Sequence, residues 1–322
     1  MRGRWRAALL GRALPGSLQL GVMGRMGDLF DRLERILPLV EESLLTLTGA
    51  APHARIFEQS SAFRWDADRG PGRLVPIQQP ADFDLDDLLG VDEPLRRFLG
   101  NIEQFLQRLP YNHVLLYGER GTGKSSAVKG ILTRYATRGL RMVEVRREDL
   151  AHLPSLLSAI RAAGDAYRFV VFCDDLSFGA DETGFRELKA ALEGSLEAPP
   201  DNVCIVATSN RRHLLPETMA DNRAARLDDQ NELHLGEALE EKLALSDRFG
   251  LVLGFFGFNQ DTYLEIVERY LEQTGLPLSL ADVRADALRW ALRRSSRSGR
   301  IARHFVDDLA GRRGLEKGEE QF

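Results

Sequence analysis

The spacing of apolar residues divides the chain into stretches of different character. Over residues 28–49, Leu29, Leu33, Ile36, Leu37, Val40 and Leu44 recur at helical intervals, and Pro38 is placed to kink or split that helix. A polar stretch follows, and "DRGPGRLVPIQQPADFD", Asp68 to Asp84, reads as a linker or an irregular arm lying on a neighbouring domain. Leu95, Phe98, Leu99, Ile102 and Phe105 then share one helical face. Beyond them come unbroken apolar runs: His113 to Tyr117, Arg141 to Val145, Phe169 to Cys173, Val203 to Ala207 and Leu251 to Phe258. Runs of this length without alternation suit strands buried on both faces of a parallel sheet. Helical stretches at Ser125 to Thr137, Leu153 to Ala163 and Gly184 to Leu192 separate most of them, which predicts a three-layer α/β domain. After Asn259 the pattern is helical to the end and predicts a second, smaller domain.

Composition narrows this picture only a little. At 322 residues and 43% apolar, the chain can hold one large domain or two modest ones. A net charge of −5 argues against coating nucleic acid over a whole surface, while leaving room for a local basic groove. Cys173 and Cys204 sit inside apolar runs, without His or Cys partners at ligand spacing, and read as buried small hydrophobes in a reducing, cytoplasmic setting. The opening "MRGRWRAALLGRALPGSLQLGVMGRMG" is arginine-rich and free of acids until Asp28. It has the composition of a targeting peptide, but Arg12 and Pro15 break its apolar stretch. A disordered basic arm, or a true start at Met23 or Met26, explains it better.

Chemistry first declares itself at "GERGTGKSS", Gly118 to Ser126, between the first strand-like run and a helix. Gly118, Gly123, Lys124 and Ser125 satisfy G-x-x-x-x-G-K-[ST]. Phosphate needs inward-pointing backbone N–H groups, which Gly118, Glu119, Arg120, Gly121, Thr122, Gly123 and Ser126 supply around it. Lys124 brings an ammonium to the β- and γ-phosphates, and Ser125 opens the helix as a Mg²⁺ ligand. Two further strand ends carry polar groups. "RFVVFCDDLSF" ends in Asp174, on the metal side, and Asp175, placed to polarise an attacking water. "NVCIVATSNRRHLL" ends in Thr208, Ser209 and Asn210.

With these segments in order, the sequence resembles an AAA+ ATPase, and in particular an uncharacterised bacterial AAA+ family, a domain of unknown function. The resemblance rests on "LLYGERGTGKSS", "FCDDLSF", "ATSNRRHL" and "LSDRFGL" and spans Phe83 to Leu309. It implies a P-loop NTPase fold: a parallel five-stranded sheet in the order 5-1-4-3-2 with a C-terminal helical lid. It would divide the chain into a basic arm, helix and linker (1–82), a nucleotide-binding domain (83–258), the lid (259–313) and a charged tail (314–322). It assigns sensor 1 to Asn210, an arginine finger acting on a neighbouring subunit to Arg248, and sensor 2 to Arg300 with Arg303 second. Val91, in "LLGVDEPL", falls near the adenine.

The implied activity is ATP hydrolysis with Mg²⁺ at a site shared between subunits of a homo-oligomer, driving remodelling or loading of a macromolecule. A protein partner fits better than nucleic acid, although "RWALRRSSRSGRIARHF" could touch phosphates. The segment His213 to Leu245 reads as a family-specific contact region or a solvated insertion. Family sites usually carry Glu where Asp175 stands, one methylene shorter. That leaves an alternative: a switch that binds ATP and hydrolyses it slowly or not at all.

Overall fold

The computed structural model describes residues 55–67, 72–177, 183–193, 199–210, 226–227, 233–234 and 246–319. The basic N-terminal arm, the kinked helix at 28–49 and most of His213 to Leu245 lie outside the described residues. The chain runs α1 (Arg55–Gln59), β1 (Ala62–Asp66), β2 (Arg73–Pro76), α2 (Asp92–Leu106), β3 (Val114–Gly118), α3 (Lys124–Tyr135), β4 (Leu140–Glu144), α4 (Leu153–Ala162) and β5 (Arg168–Cys173). It continues through α5 (Thr183–Glu193), β6 (Val203–Ser209), a short antiparallel pair β7 (Arg226–Leu227) and β8 (Leu233–His234), and β9 (Leu251–Phe255). Three helices follow: α6 (Gln260–Thr274), α7 (Leu280–Arg293) and α8 (Gly299–Glu319).

The main sheet has seven strands, in the order β2-β1-β4-β5-β6-β3-β9, and not the five expected. Within it β9, β3, β6, β5 and β4 are successive neighbours, all parallel, and correspond to the five apolar runs. The two further strands extend the far edge: β1 runs parallel to β4, and β2 closes the sheet antiparallel to β1. Ala62–Asp66 and Arg73–Pro76, in the stretch assigned from sequence to the N-terminal arm and linker, therefore contribute sheet. Their core is Phe63 and Trp65, buried with Phe57 of α1, while the intervening Arg64 reaches Glu144 of β4 at 3.6 Å. At the other end of the chain, α8 continues to Glu319, into the stretch expected to be a charged tail.

Alternation within the central strands feeds two cores. In β5, Phe169, Val171 and Cys173 pack with α4 and α5, while Val170 and Phe172 face the opposite side, which α2 and α3 cover. Complete burial of such side chains stabilises by about 1.5–3 kcal/mol each, which is why these strands read as continuous apolar runs. Cys173 and Cys204 are both free and buried, on neighbouring strands but in opposite cores. Burial pushes the Cys173 thiol up to about 12, so it is an inert packing group.

The three C-terminal helices form their own core around Tyr263, Val267, Ala287 and Phe305. Asn259 caps α6 by accepting from the Thr262 N–H at 2.8 Å, and Asp282 accepts from the Ser279 N–H at 2.8 Å to start α7. Leu89, on the segment before α2, and Phe258, after β9, pack against this core. Among the described residues no helix is long and apolar enough to cross a membrane.

Candidate nucleotide site

The loop between β3 and α3 has the backbone that its glycines permit. Gly118 has φ +136° and lies so close to β9 that a Cβ there would sit 1.9 Å from the Phe255 carbonyl oxygen. Gly121 has φ +76°, and a Cβ would meet Ser298 Oγ at 2.8 Å and Arg300 Cβ at 3.0 Å. No larger residue fits either position without strain. The tight approach at Gly121 joins the loop to the lid, because the Gly299 N–H donates to the Gly121 carbonyl at 2.9 Å.

Lys124 is only 7% exposed and its ammonium donates to the carbonyls of Gly118 (2.7 Å) and Glu119 (2.6 Å). A longer contact of 3.4 Å reaches Asn210 Oδ1. Burial pulls the Lys124 pKa down, and the opposing fields of Asp175 and Asp174 restrain that shift. One turn into the site, Ser125 Oγ donates to Asp174 Oδ1 at 2.7 Å. The same carboxylate oxygen accepts from Thr208 Oγ1 at 2.5 Å and from the Asp175 N–H at 3.1 Å. Asp175, whose φ is +49°, accepts a hydrogen bond from the Asn210 side-chain amide. The ends of β3, β5 and β6 thus bring Lys124, Ser125, Asp174, Asp175 and Asn210 into one connected group.

This group forms the polar end of a cavity of about 550 Å³ between sheet and lid, a volume suited to a small-molecule ligand. Arg120, Gly121, Thr122, Gly123 and Ser126 line the same end. Its apolar end comes from Phe83, Leu88 and Leu89 on the segment before α2, and from Phe258, Ile266 and Tyr270. Asp87 anchors that segment to α6, accepting from Arg269 (2.7 Å) and Gln273 (2.8 Å). Arg300, Arg303 and His304 of α8 complete the wall. Arg303 pairs with Asp307 at 3.0 Å and lies 5.2 Å over the Tyr270 ring.

Four expected residues are absent from the lining: Gly118 and Glu119, whose carbonyls hold the Lys124 ammonium, and Val91 and Arg248. Val91 is 3% exposed, packs with Leu95 and Phe98, and is absent from the cavity lining, where Leu88 and Leu89 take its place. Arg248 also lies outside the lining; its side chain, 19% exposed, is ion-paired with Glu193 of α5. Sequence reasoning missed Phe83, Ile266 and Tyr270, because apolar residues carry no local signal of facing a ligand.

The donor set fits a hard divalent cation: a hydroxyl and a carboxylate oxygen, at the start of a helix and the end of a strand, beside a lysine. The described residues hold no cluster of three or more His, Cys, Asp or Glu side chains placed to bind a metal unaided.

Comparison with known proteins agrees with this geometry. The fold is similar to that of a RuvB mutant from Thermotoga maritima, with a TM-score of 0.50 at 17% identity, covering 73% of this chain and 66% of that one. Over 93 residues the chain is 34% identical to the chaperone protein ClpB of Dichelobacter nodosus. That match takes in 29% of this chain and only 10% of ClpB. The model of a protein family of unknown function, DUF815, matches residues 58–313. A family match over most of its length places the chain in DUF815.

Proposed function

We propose that the chain binds ATP with Mg²⁺ and hydrolyses it at a site completed by a second subunit, coupling turnover to remodelling or loading of a macromolecular partner. The observation that carries this reading is the Ser125–Asp174 hydrogen bond beside the Lys124 ammonium, at the polar end of a ligand-sized cavity. Ser125 and Asp174 would hold the cation, which when bound would offset charge on the β- and γ-phosphates. The Gly118–Gly123 backbone cradles the phosphates, and the Leu88, Leu89 and Tyr270 end takes the base. Asp175 and Asn210, hydrogen-bonded to each other, are placed to orient the attacking water. Arg300 reaches the phosphates from the lid.

In this reading Arg248 would leave its ion pair with Glu193 to enter a neighbour's site. A cation entering from the next subunit would stabilise charge on the transferring phosphoryl group, an effect of about 10³–10⁵ in rate in other NTPases. A protein partner remains the better fit than nucleic acid.

The test is ATP hydrolysis per subunit against protein concentration, with Arg248→Ala alongside. Specific activity should rise with concentration and fall at least about a hundredfold in the variant. Flat, near-zero activity with retained ATP binding would instead support a nucleotide-dependent switch. The observation favouring that second reading is Asp175 itself, a short side chain with its carboxylate already engaged by Asn210.

A further inference from the structure

Thr208 sits at the end of β6, 1% exposed, beside the two acids that follow β5. Its hydroxyl makes two hydrogen bonds of opposite sense. It donates to Asp174 Oδ1 at 2.5 Å and accepts from the Asp175 N–H at 2.8 Å. A hydroxyl has one proton to give and lone pairs to receive, so a single atom can hold both neighbours. The backbone of Thr208 adds a third link, its carbonyl accepting from the Leu176 N–H at 2.7 Å.

Asp175 needs such support. A left-handed φ of +49° is uncommon outside glycine, and Asp is among the few residues that tolerate it. The Asp175 N–H is directed to Thr208 Oγ1 and, less closely, to Asp174 Oδ1. Among the described residues, the hydrogen bonds to the Asp174 carboxylate all reach Oδ1, from Ser125, Thr208 and Asp175, so one oxygen ties the carboxylate to all three.

We propose that Thr208 is a positioning residue for the metal: its hydroxyl fixes the Asp174 carboxylate and the turn at Asp175 together, so that cation binding at Ser125 and Asp174 depends on it. This rests on the ATP reading above. Groups that orient a metal ligand matter nearly as much as the ligand, and their loss weakens metal affinity roughly ten- to hundredfold.

The experiment titrates a fluorescent ATP analogue into the full chain with EDTA and with increasing Mg²⁺. Wild type, Thr208→Val, Thr208→Ala and Thr208→Ser are compared. Lys124 and the glycine loop are untouched, so affinity in EDTA should stay within about twofold throughout, which also reports an intact loop. Thr208→Val and Thr208→Ala should need roughly ten- to hundredfold more Mg²⁺ to tighten binding, and Thr208→Ser should behave as wild type. Wild-type Mg²⁺ dependence in Thr208→Val or Thr208→Ala, or impairment of Thr208→Ser equal to theirs, overturns the proposal while leaving ATP binding standing. Loss of folding in both truncated variants also overturns it, by making Thr208 a residue of the core. If wild type binds the analogue in neither condition, the ATP reading itself falls.

Discussion

Individual side chains in this protein show how burial sets chemistry. His113, just before β3, is half-buried, and its Nδ1 accepts from the Ile205 N–H at 3.1 Å. An imidazole held as an acceptor cannot take a second proton there, and burial lowers its pKa from 6.5 to about 4. Between those two values the unfolded chain binds a proton that the folded chain refuses, so stability is full above the unfolded pKa and is lost as pH falls toward the folded one. At about pH 5 the loss from this residue is about 2 kcal/mol relative to neutral pH. Urea unfolding of wild type and His113→Asn at both pH values should show a shallower pH dependence in the variant. Equal slopes would mean that His113 is solvated and titrates normally.

At the level of elements, the edge pair β1–β2 depends on a few large side chains. Trp65 is 2% exposed in the core that holds Phe57 and Phe63, and the close approach of Gly72, whose Cβ would fall 2.1 Å from the indole, closes one side. Trp65→Ala should cost about 3–5 kcal/mol in urea unfolding, because the rigid strand on one side and Phe57 on the other cannot collapse into the space. A cost under about 1 kcal/mol would show an edge that is peripheral to folding. The same pair marks where the sequence stops being legible. The five central strands announce themselves because both faces are covered, so Phe169 to Cys173 and Val203 to Ala207 are apolar without a break. In β1 the pattern is two buried residues, an exposed Arg64, then Trp65 and Asp66. Five residues with two charges carry too little signal to distinguish a strand from a linker. The site divides in the same way. Lys124, Ser125, Asp174 and Asn210 were readable, since each chemistry is tied to a local pattern at a strand end. Leu88, Ile266 and Tyr270 converge only through tertiary packing of the segment before α2 against α6, and Val91, expected near the adenine, packs in the core a few residues beyond that segment's lining.

In the molecule as a whole, sheet and lid meet directly at the phosphate loop. The Gly299 N–H donates to the Gly121 carbonyl, and the start of α8 packs against the Gly121 Cα so closely that no Cβ fits. Arg300, the next residue, lines the cavity. Any shift of the loop on binding phosphate therefore reaches α8 through one backbone hydrogen bond, and any movement of the lid acts back on the loop. Gly121→Ala tests this link. It adds a methyl against Ser298 and Arg300 and forces a left-handed φ on a residue with a Cβ, a strain of about 1–2 kcal/mol before the clash is relieved. The lid core around Tyr263, Val267 and Phe305 does not touch Gly121, so the lid should stay folded while its first turn moves off the loop. Nucleotide affinity should then fall about tenfold or more, with the unfolding midpoint of the nucleotide-free chain reduced by no more than a few degrees. Unchanged affinity would mean that the loop adapts alone and that sheet and lid communicate elsewhere, through Asp87 and its partners on α6.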